Sequence, residues 1–254
     1  MILAVDAGNS NIVLGCMAET EVRHTMRLVT DRAMDAAGYT AAIEAALAQS
    51  GYLAQRFEGA ILSSVVAAVT APLRQALSAL ITGPVLVVGE TAKTAISIRI
   101  DQPETLGADL IAAAEGALAQ YTPPLVLIDM GTATTFSVLD QWGAFLGGAI
   151  APGVRLGAEA LARRTGLPTV DMLPPQSPLG RGTEDCLRSG IVLGAAAMVD
   201  GMLDRLEDAL GIPVTAIATG GLAGCVIPHC RRHINLDDAL LLRGLAVMYR
   251  RKAL

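Results

Sequence analysis

Aromatic side chains are scarce: three Phe, four Tyr and one Trp, 3% of a 254-residue chain. Because 52% of the residues are hydrophobic, the interior must be packed with aliphatic groups, alanine and leucine foremost. Charge is sparse as well, at 17%, with 19 Lys and Arg against 24 Asp and Glu. Arg250-Arg251-Lys252 is the one basic run that stands out. A phosphate-backbone binder usually shows a clear basic patch, so no nucleic-acid partner is expected. Four cysteines do not make a disulfide framework in a chain of this size, which points to a reduced, cytoplasmic protein. Cys225, His229, Cys230 and His233 lie close in sequence, but they lack a CxxC pair. Pro228 also disfavours the helix that would align them, so no metal site is expected there. Met1 leads straight into the strand-like Ile2–Val5, without the charged and apolar regions of a secretory leader. No uninterrupted apolar stretch reaches the roughly 18 residues of a spanning helix. The nearest, 190–203, is broken by glycines and Asp200, so no membrane association is expected.

Two segments resemble each other. Ile2–Met17 reads ILAVDAGNSNIVLGCM and Leu125–Leu139 reads LVLIDMGTATTFSVL. Each is an apolar β-prone run, then Asp-x-Gly with small polar residues, then a second β-prone run. The pattern predicts a hairpin whose tip carries the carboxylate, the glycine and hydroxyl or amide groups. The two aspartates, Asp6 and Asp129, lie about half the chain apart, which reads as a diverged duplication.

Helix and strand signals alternate in both halves. Helices are predicted over 34–50 (with Tyr39, Ile43 and Leu47 at helical spacing), 72–81, 106–120, 154–164, 184–209 and 237–250. Strands are predicted over 60–65, 85–88 and 214–218, besides the hairpins. Alternation of this kind predicts two α/β domains, 1–122 and 123–254, divided near Pro123-Pro124. Residues 166–183, with four prolines and several glycines, read as a long loop of the kind that is often functional.

The hairpin tips carry the chemistry. An aspartate at a strand end is expected to point into a cleft, and Gly8 lets the backbone approach a ligand closely. Asn9, Ser10 and Asn11 supply hydrogen-bond donors for phosphate oxygens, and the carboxylate can hold an accompanying metal. The second tip offers Asp129, Gly131, Thr132, Ala133, Thr134 and Thr135. Gly220-Gly221 after a strand allows backbone to pass near a base or ribose. Two such hairpins on two similar domains predict a nucleotide cleft between them.

These motifs are similar to those of the type III pantothenate kinase family, part of the sugar-kinase/actin-like (ribonuclease H-like) superfamily. The resemblance runs through DAGNSN (6–11), ILSSV (61–65), PETLGAD (103–109), IDMGTATTFSV (128–138), GGAIAPG (147–153), Thr183 with Ser189-Gly190-Ile191, TGGLA (219–223) and HINLDDALLLRGL (233–245). It implies two ribonuclease H-like (actin-like) domains related by duplication, with an ATP cleft between them. It implies ATP-dependent phosphorylation of the primary hydroxyl of pantothenate, the first step of coenzyme A synthesis, by a cytoplasmic homodimer that needs Mg²⁺ and a monovalent cation, K⁺ or NH₄⁺. Residue by residue, it places Asp6, Gly8, Asn9, Ser10 and Asn11 at the ATP phosphates, with Asp6 reaching Mg²⁺ through them. Gly131, Thr132, Ala133, Thr134, Gly220 and Gly221 complete the ATP side, and Asp129 holds the monovalent cation. Asp109 is the general base. Gly107, Ala108, Leu110, Ile100 and Thr183 lie on the acceptor side, with Thr183 a candidate to reach it across the dimer. Leu187, Ile191, Met198, Met202 and Leu206 form an apolar stripe, part of which is expected at the dimer face.

The departures from the family pattern fall on the acceptor side. GADR of the family reads Gly107-Ala108-Asp109-Leu110, and the usual tyrosine seven residues before the glycine is Ile100. The proline of SSVVP is Ala67, and GKNT reads Gly180-Arg181-Gly182-Thr183. A guanidinium suits the pantothenate carboxylate through paired hydrogen bonds, and leucine offers neither charge nor donor. Arg99 and Arg181 are the candidates to compensate. A nucleotide-binding relative without catalysis, and a kinase for another small hydroxylated acceptor, are the competing readings.

Overall fold

The computed structural model describes residues 1–53 and 55–253. Its first hairpin pairs β1 (Ile2–Ala7) antiparallel to β2 (Asn11–Ala18), which in turn pairs antiparallel to β3 (Glu21–Val29). The chain then passes through α1 (Ala36–Gln49) to β4 (Gly59–Ser64), parallel to β1. It continues through α2 (Ala67–Leu80) to β5 (Val85–Val87), parallel to β4. Parallel neighbours need such helical crossovers.

After α3 (Ala108–Leu118) the scheme repeats, with β6 (Leu125–Met130), β7 (Ala133–Leu139) and β8 (Phe145–Pro152) as an antiparallel meander. Then come α4 (Val154–Thr165), α5 (Thr183–Arg188) running through a π-turn (Ser189–Leu193) into α6 (Gly194–Leu210), and β9 (Thr215–Thr219) parallel to β6. A short α7 (Ala223–Val226), a two-residue β10 (Asn235–Leu236) and α8 (Leu240–Ala253) complete the chain. The sheet orders β3-β2-β1-β4-β5 and β8-β7-β6-β9-β10 match strand for strand, which is the duplication read from the two hairpins.

Two compact units result. The first comprises Met1–Ile96, Asp101–Gln120 and Ala239–Leu254, and the second comprises Ser97–Ile100 and Tyr121–Asp238. The division differs from a single cut at 122/123 in two places. α8 packs in the first unit, where Leu242, Leu245, Ala246 and Met248 join Ile2, Ala4 and Ile61 in one core. Residues 97–100 run beside β8: Phe145 N donates to Ser97 O at 2.8 Å and Arg99 N to Phe145 O at 2.8 Å.

Side-chain alternation along β1 explains the layers of the first unit. Leu3, Val5 and Ala7 point to one face and meet Tyr39, Ile43 and Leu47 of α1 and Val69, Leu73 and Leu77 of α2. Ile2 and Ala4 point to the other and meet α3 and α8. There the helix backbones touch: a Cβ on Gly244 would lie 1.7 Å from the Ala112 carbonyl oxygen, so only glycine fits.

α3 is also pinned halfway along. The buried Glu115 carboxylate accepts both Arg251 Nη1 (2.9 Å) and Nη2 (2.7 Å), Thr94 Oγ1 (2.7 Å) and the Ala95 amide (3.0 Å). Burial pushes this carboxyl up, but the Arg251 and Thr94 bonds, the Ala95 amide and the Arg251 charge outweigh it and hold it below the ordinary value.

Several expectations meet corrections. α2 begins at Ala67, not at residue 72, and Pro72 lies inside it. Val66 and Val69 are buried in the core, so packing extends the helix ahead of its proline. β3 and β8 carry no strand signal strong enough to read. β3 has little buried face, and β8 is glycine-rich. Helix 183–210 is, by length and composition, apolar enough to cross a membrane, although no uninterrupted apolar run marks it. Its inner face, Val192, Ala196, Val199 and Leu203, packs against Val126, Ile128, Phe136 and Val138 of β6 and β7. The stripe Leu187, Ile191, Met198, Met202 and Leu206 lies half-buried beside that face.

Candidate functional site

In the first unit, the tip between β1 and β2 closes through Gly8 N donating to Asn11 O at 3.0 Å. Asn9, Ser10 and Asn11 are exposed while Asp6 is half-buried. β4 runs beside β1, and its Ser63 Oγ donates to Asp6 Oδ1 at 2.9 Å, fixing the carboxylate at the strand end. The segment after β3 folds over the tip. Thr30 Oγ1 donates to Gly8 O (2.7 Å), Thr30 N to Ser10 O (3.1 Å) and Arg32 Nη2 to Asn9 Oδ1 (3.0 Å).

Asp109 stands in the first turn of α3 with its half-buried Oδ1 accepting the Leu110 amide at 2.8 Å. Burial raises its carboxyl above the ordinary 3.8, opposed in part by that amide. Gly107 leaves the room it occupies, and Val65, just past β4, flanks Gly107. The end of β1, the end of β4 and the start of α3 therefore form one end of the unit. Ala108 and Leu110 are half-buried there.

The second unit repeats the device with a shorter tip. Asp129 pairs with Thr135 and Met130 with Thr134, leaving Gly131, Thr132 and Ala133 as the crossing. Gly131 N donates to Ala133 O at 3.0 Å. Gly153, immediately before α4, donates to Thr132 O at 3.2 Å, so the N-terminus of α4 abuts the tip. From the other side Gly220, at φ +95°, crosses β6. A Cβ on it would lie 2.4 Å from Asp129 Oδ1 and 2.6 Å from Met130 N, so this turn requires glycine. Leu222 N reaches Met130 O at 3.2 Å, which seats Gly221 beside it.

The hydroxyl oxygens of Thr134 and Thr135 are buried without a hydrogen-bond partner. Buried hydroxyls are nearly always bonded. Thr135, opposite Asp129 and on the same face of the sheet, fits a bound group that it and the carboxylate would ligate, whereas Thr134 alternates to the other face. Among the described residues no group of three or more His, Cys, Asp or Glu could hold a metal ion. One carboxylate with hydroxyl oxygens suits a hard cation of low charge better than a transition metal.

The residues expected on the acceptor side do not all fall in one unit. Gly107, Ala108, Asp109 and Leu110 belong to the first, whereas Ile100 and Thr183 belong to the second. Ile100 lies near Gly147 of β8. Arg99 turns to Asp140, with Nη1 3.4 Å from Oδ2. Thr183 is exposed at the start of α5, and Arg181 is exposed before it. A concavity of about 310 Å³ in this unit, lined by Arg155, Glu159, Asp171, Met172, Leu187 and Ile191 among others, contains none of the hairpin residues.

Thr30 and Arg32 carry no signal in the sequence. Thr30 and Arg32 sit in an unremarkable Thr-Asp-Arg turn. Thr135 was visible as a third hydroxyl, but its register opposite Asp129 was not.

The family model for type III pantothenate kinase matches residues 2–205. The type III pantothenate kinase of Rhodospirillum centenum is 38% identical over 259 residues, covering 100% of this chain and 99% of that protein. That of an Exiguobacterium species is 36% identical over 252 residues, covering 99% of each. Among solved structures, a Baf family transcriptional activator from Campylobacter jejuni superposes with a TM-score of 0.63 at 17% identity, covering 99% of this chain and 98% of that one. A Thermus thermophilus ROK hexokinase superposes at 0.53 and 16%, covering 98% and 99%. The structures bear on the fold alone, two duplicated ribonuclease H-like domains. The matching family model and the full-length relatives show that this chain belongs to the type III pantothenate kinase family.

Proposed function

We propose that the chain transfers the γ-phosphoryl group of ATP to the primary hydroxyl of pantothenate, the entry step of coenzyme A synthesis. The observation that carries it is the repeated Asp-x-Gly tip, built twice in the same sheet position within a chain of this family. In phosphoryl transfer the protein mainly positions groups and neutralises charge. Asn9, Ser10 and Asn11, exposed in one unit, and Gly131 and Thr132, exposed in the other, are arranged for phosphate oxygens, with Gly8, Ala133 and Thr134 shaping the two tips. Gly220 and Gly221 leave room for the nucleoside.

The acceptor oxygen attacks phosphorus as the bond to the bridging oxygen breaks and ADP departs. The hydroxyl proton passes to Asp109, whose raised pKa suits a base. Mg²⁺, when bound with ATP, neutralises phosphate charge, and Asp6, oriented by Ser63, is the residue that would face it. A monovalent cation, K⁺ or NH₄⁺, fits Asp129 with the unpartnered Thr135 hydroxyl opposite it. Gly107, Ala108, Leu110, Ile100 and Thr183 make the acceptor side.

Calorimetric titration with Mg·ATP, paired with a coupled assay on pantothenate, tests the reading. Saturable binding and pantothenate-dependent ADP release, both stimulated by K⁺, are expected. Well-folded protein that gives no signal at millimolar nucleotide would sink it.

The protein is further proposed to be a cytoplasmic homodimer. The half-buried stripe on helix 183–210 leaves apolar surface uncovered, and a second copy is the occupant the family resemblance implies. Thr183 would then reach the partner's acceptor side. Light scattering should give twice the 26.2 kDa chain mass. Monomer alone over a wide concentration range would rule the dimer out.

A further inference from the structure

The segment that folds over the first hairpin tip is anchored more firmly than a connector needs. Thr30 bonds the tip backbone twice, to Gly8 O and Ser10 O. Asp31 is tied to Tyr39, a fully buried side chain of α1, whose hydroxyl donates to Asp31 O at 2.7 Å. Asp31 Oδ1 accepts the Ala33 amide at 2.9 Å, and Asp35 Oδ1 caps α1 by accepting Gly38 N at 2.8 Å. Both nearby carboxylates are thus engaged with backbone. Arg32, held between them, is exposed. Among the described residues no carboxylate pairs with its guanidinium, and its bond is the one donated to Asn9 Oδ1 at 3.0 Å.

That bond has a consequence for Asn9. With Oδ1 occupied by Arg32, the group Asn9 has left for a ligand is its amide NH₂, a donor. A guanidinium offers five donors in a fixed fork and matches phosphate geometry bidentately. One N–H engaged with Asn9 leaves the others available. Cation and amide donor are thereby presented together at the tip, and both call for an anion.

We propose that Arg32 is a polyphosphate-contacting residue of the ATP site, which grips the phosphate chain directly and holds Asn9 with its amide turned to the same ligand. The proposal rests on the reading of the 8–11 tip as a phosphate site and adds to it a charge from outside the Asp-x-Gly motif.

The test is calorimetric titration of the full-length protein with Mg·ATP and, separately, with AMP, for wild type, Arg32→Ala, Arg32→Gln and Arg32→Lys. Loss of one charge-assisted contact should weaken ATP binding about tenfold or more, with AMP changed less than about twofold. Arg32→Gln keeps a donor for Asn9 but no charge, and should fall with Arg32→Ala. Arg32→Lys keeps the charge without the fork and should lie between. Melting temperatures should be unchanged, because the side chain is exposed.

Equal losses for ATP and AMP, or no loss in Arg32→Ala, would overturn the direct contact. Full ATP affinity in Arg32→Gln would reduce Arg32 to a support for Asn9 and overturn it too. Wild-type protein that fails to bind Mg·ATP would overturn the phosphate reading of the tip itself. Wild-type binding with insensitive variants removes Arg32 alone.

Discussion

Asp109→Asn should lower kcat by a factor of roughly 10²–10⁴, the range expected when a positioned base is removed, while Mg·ATP affinity stays within experimental error. The carboxylate sits in the first turn of α3, where burial raises its pKa and the Leu110 amide at 2.8 Å restrains the rise. Asparagine keeps an oxygen for that amide, so the local geometry survives and only the proton acceptor is lost. The base must be ionised to act. The acid limb of kcat/KM should therefore lie above the ordinary aspartate value of 3.8.

A stability measurement separates this from unfolding. Asp109 is harder to ionise folded than unfolded, so its ionisation costs the folded state stability. That cost is complete above the folded pKa, shrinks as pH falls through it, and is gone below the unfolded value. Asp109→Asn should then melt no lower than wild type at neutral pH, and any gain should shrink on acidification. A variant that melts well below wild type at neutral pH, or one that retains turnover, would contradict the assignment of Asp109 as the base.

The hairpins were legible because their pattern is local: an apolar run, Asp-x-Gly, and a second run leave few alternatives. α1 was equally plain, since Tyr39, Ile43 and Leu47 at helical spacing are the residues it buries. β3 and β8 were not. An edge strand with one well-buried residue and a strand with Gly147-Gly148 owe their existence to the neighbours they pair with, and pairing is non-local. α8 looked like the end of the second half, yet its apolar face is completed by β1, β4 and α3, all from the first half of the chain.

The candidate site divides the same way. Asp6, Asp129 and the glycines could be read from spacing. Ser63 against Asp6, Gly220 across Asp129 and Arg32 on Asn9 are contacts between elements distant in sequence. The unpartnered Thr134 and Thr135 hydroxyls are a property of packing that no motif displays.

Leu110→Arg should lower KM for pantothenate by about thirty-fold with kcat little changed. Leu110 occupies the position where the family pattern has arginine, next to the proposed base Asp109 and half-buried in the first turn of α3. Removing one partner of a buried hydrogen-bonded charge pair typically costs about 2–5 kcal/mol, and 2 kcal/mol corresponds to about thirty-fold. The lower end applies because Ile100 and Gly182 also depart from the pattern and neighbouring changes couple. Against this stands the helix macrodipole, which disfavours a cation in the first turn by about 0.3–1 kcal/mol. The carboxylate contact outweighs it when pantothenate is bound.

Two further readouts follow. The variant should gain more in melting temperature than wild type when pantothenate is added. A guanidinium beside Asp109 should also favour the ionised base and move the acid limb of kcat/KM to lower pH. A contact made equally in ground state and transition state changes KM and leaves kcat alone, so a rise in kcat without a change in KM would point to a different role for the residue. Wild type that already turns over pantothenate with an ordinary low KM would show that leucine suffices here. Wild type and variant that both bind ATP but transfer nothing to pantothenate would instead favour a nucleotide-binding member of the family without this activity.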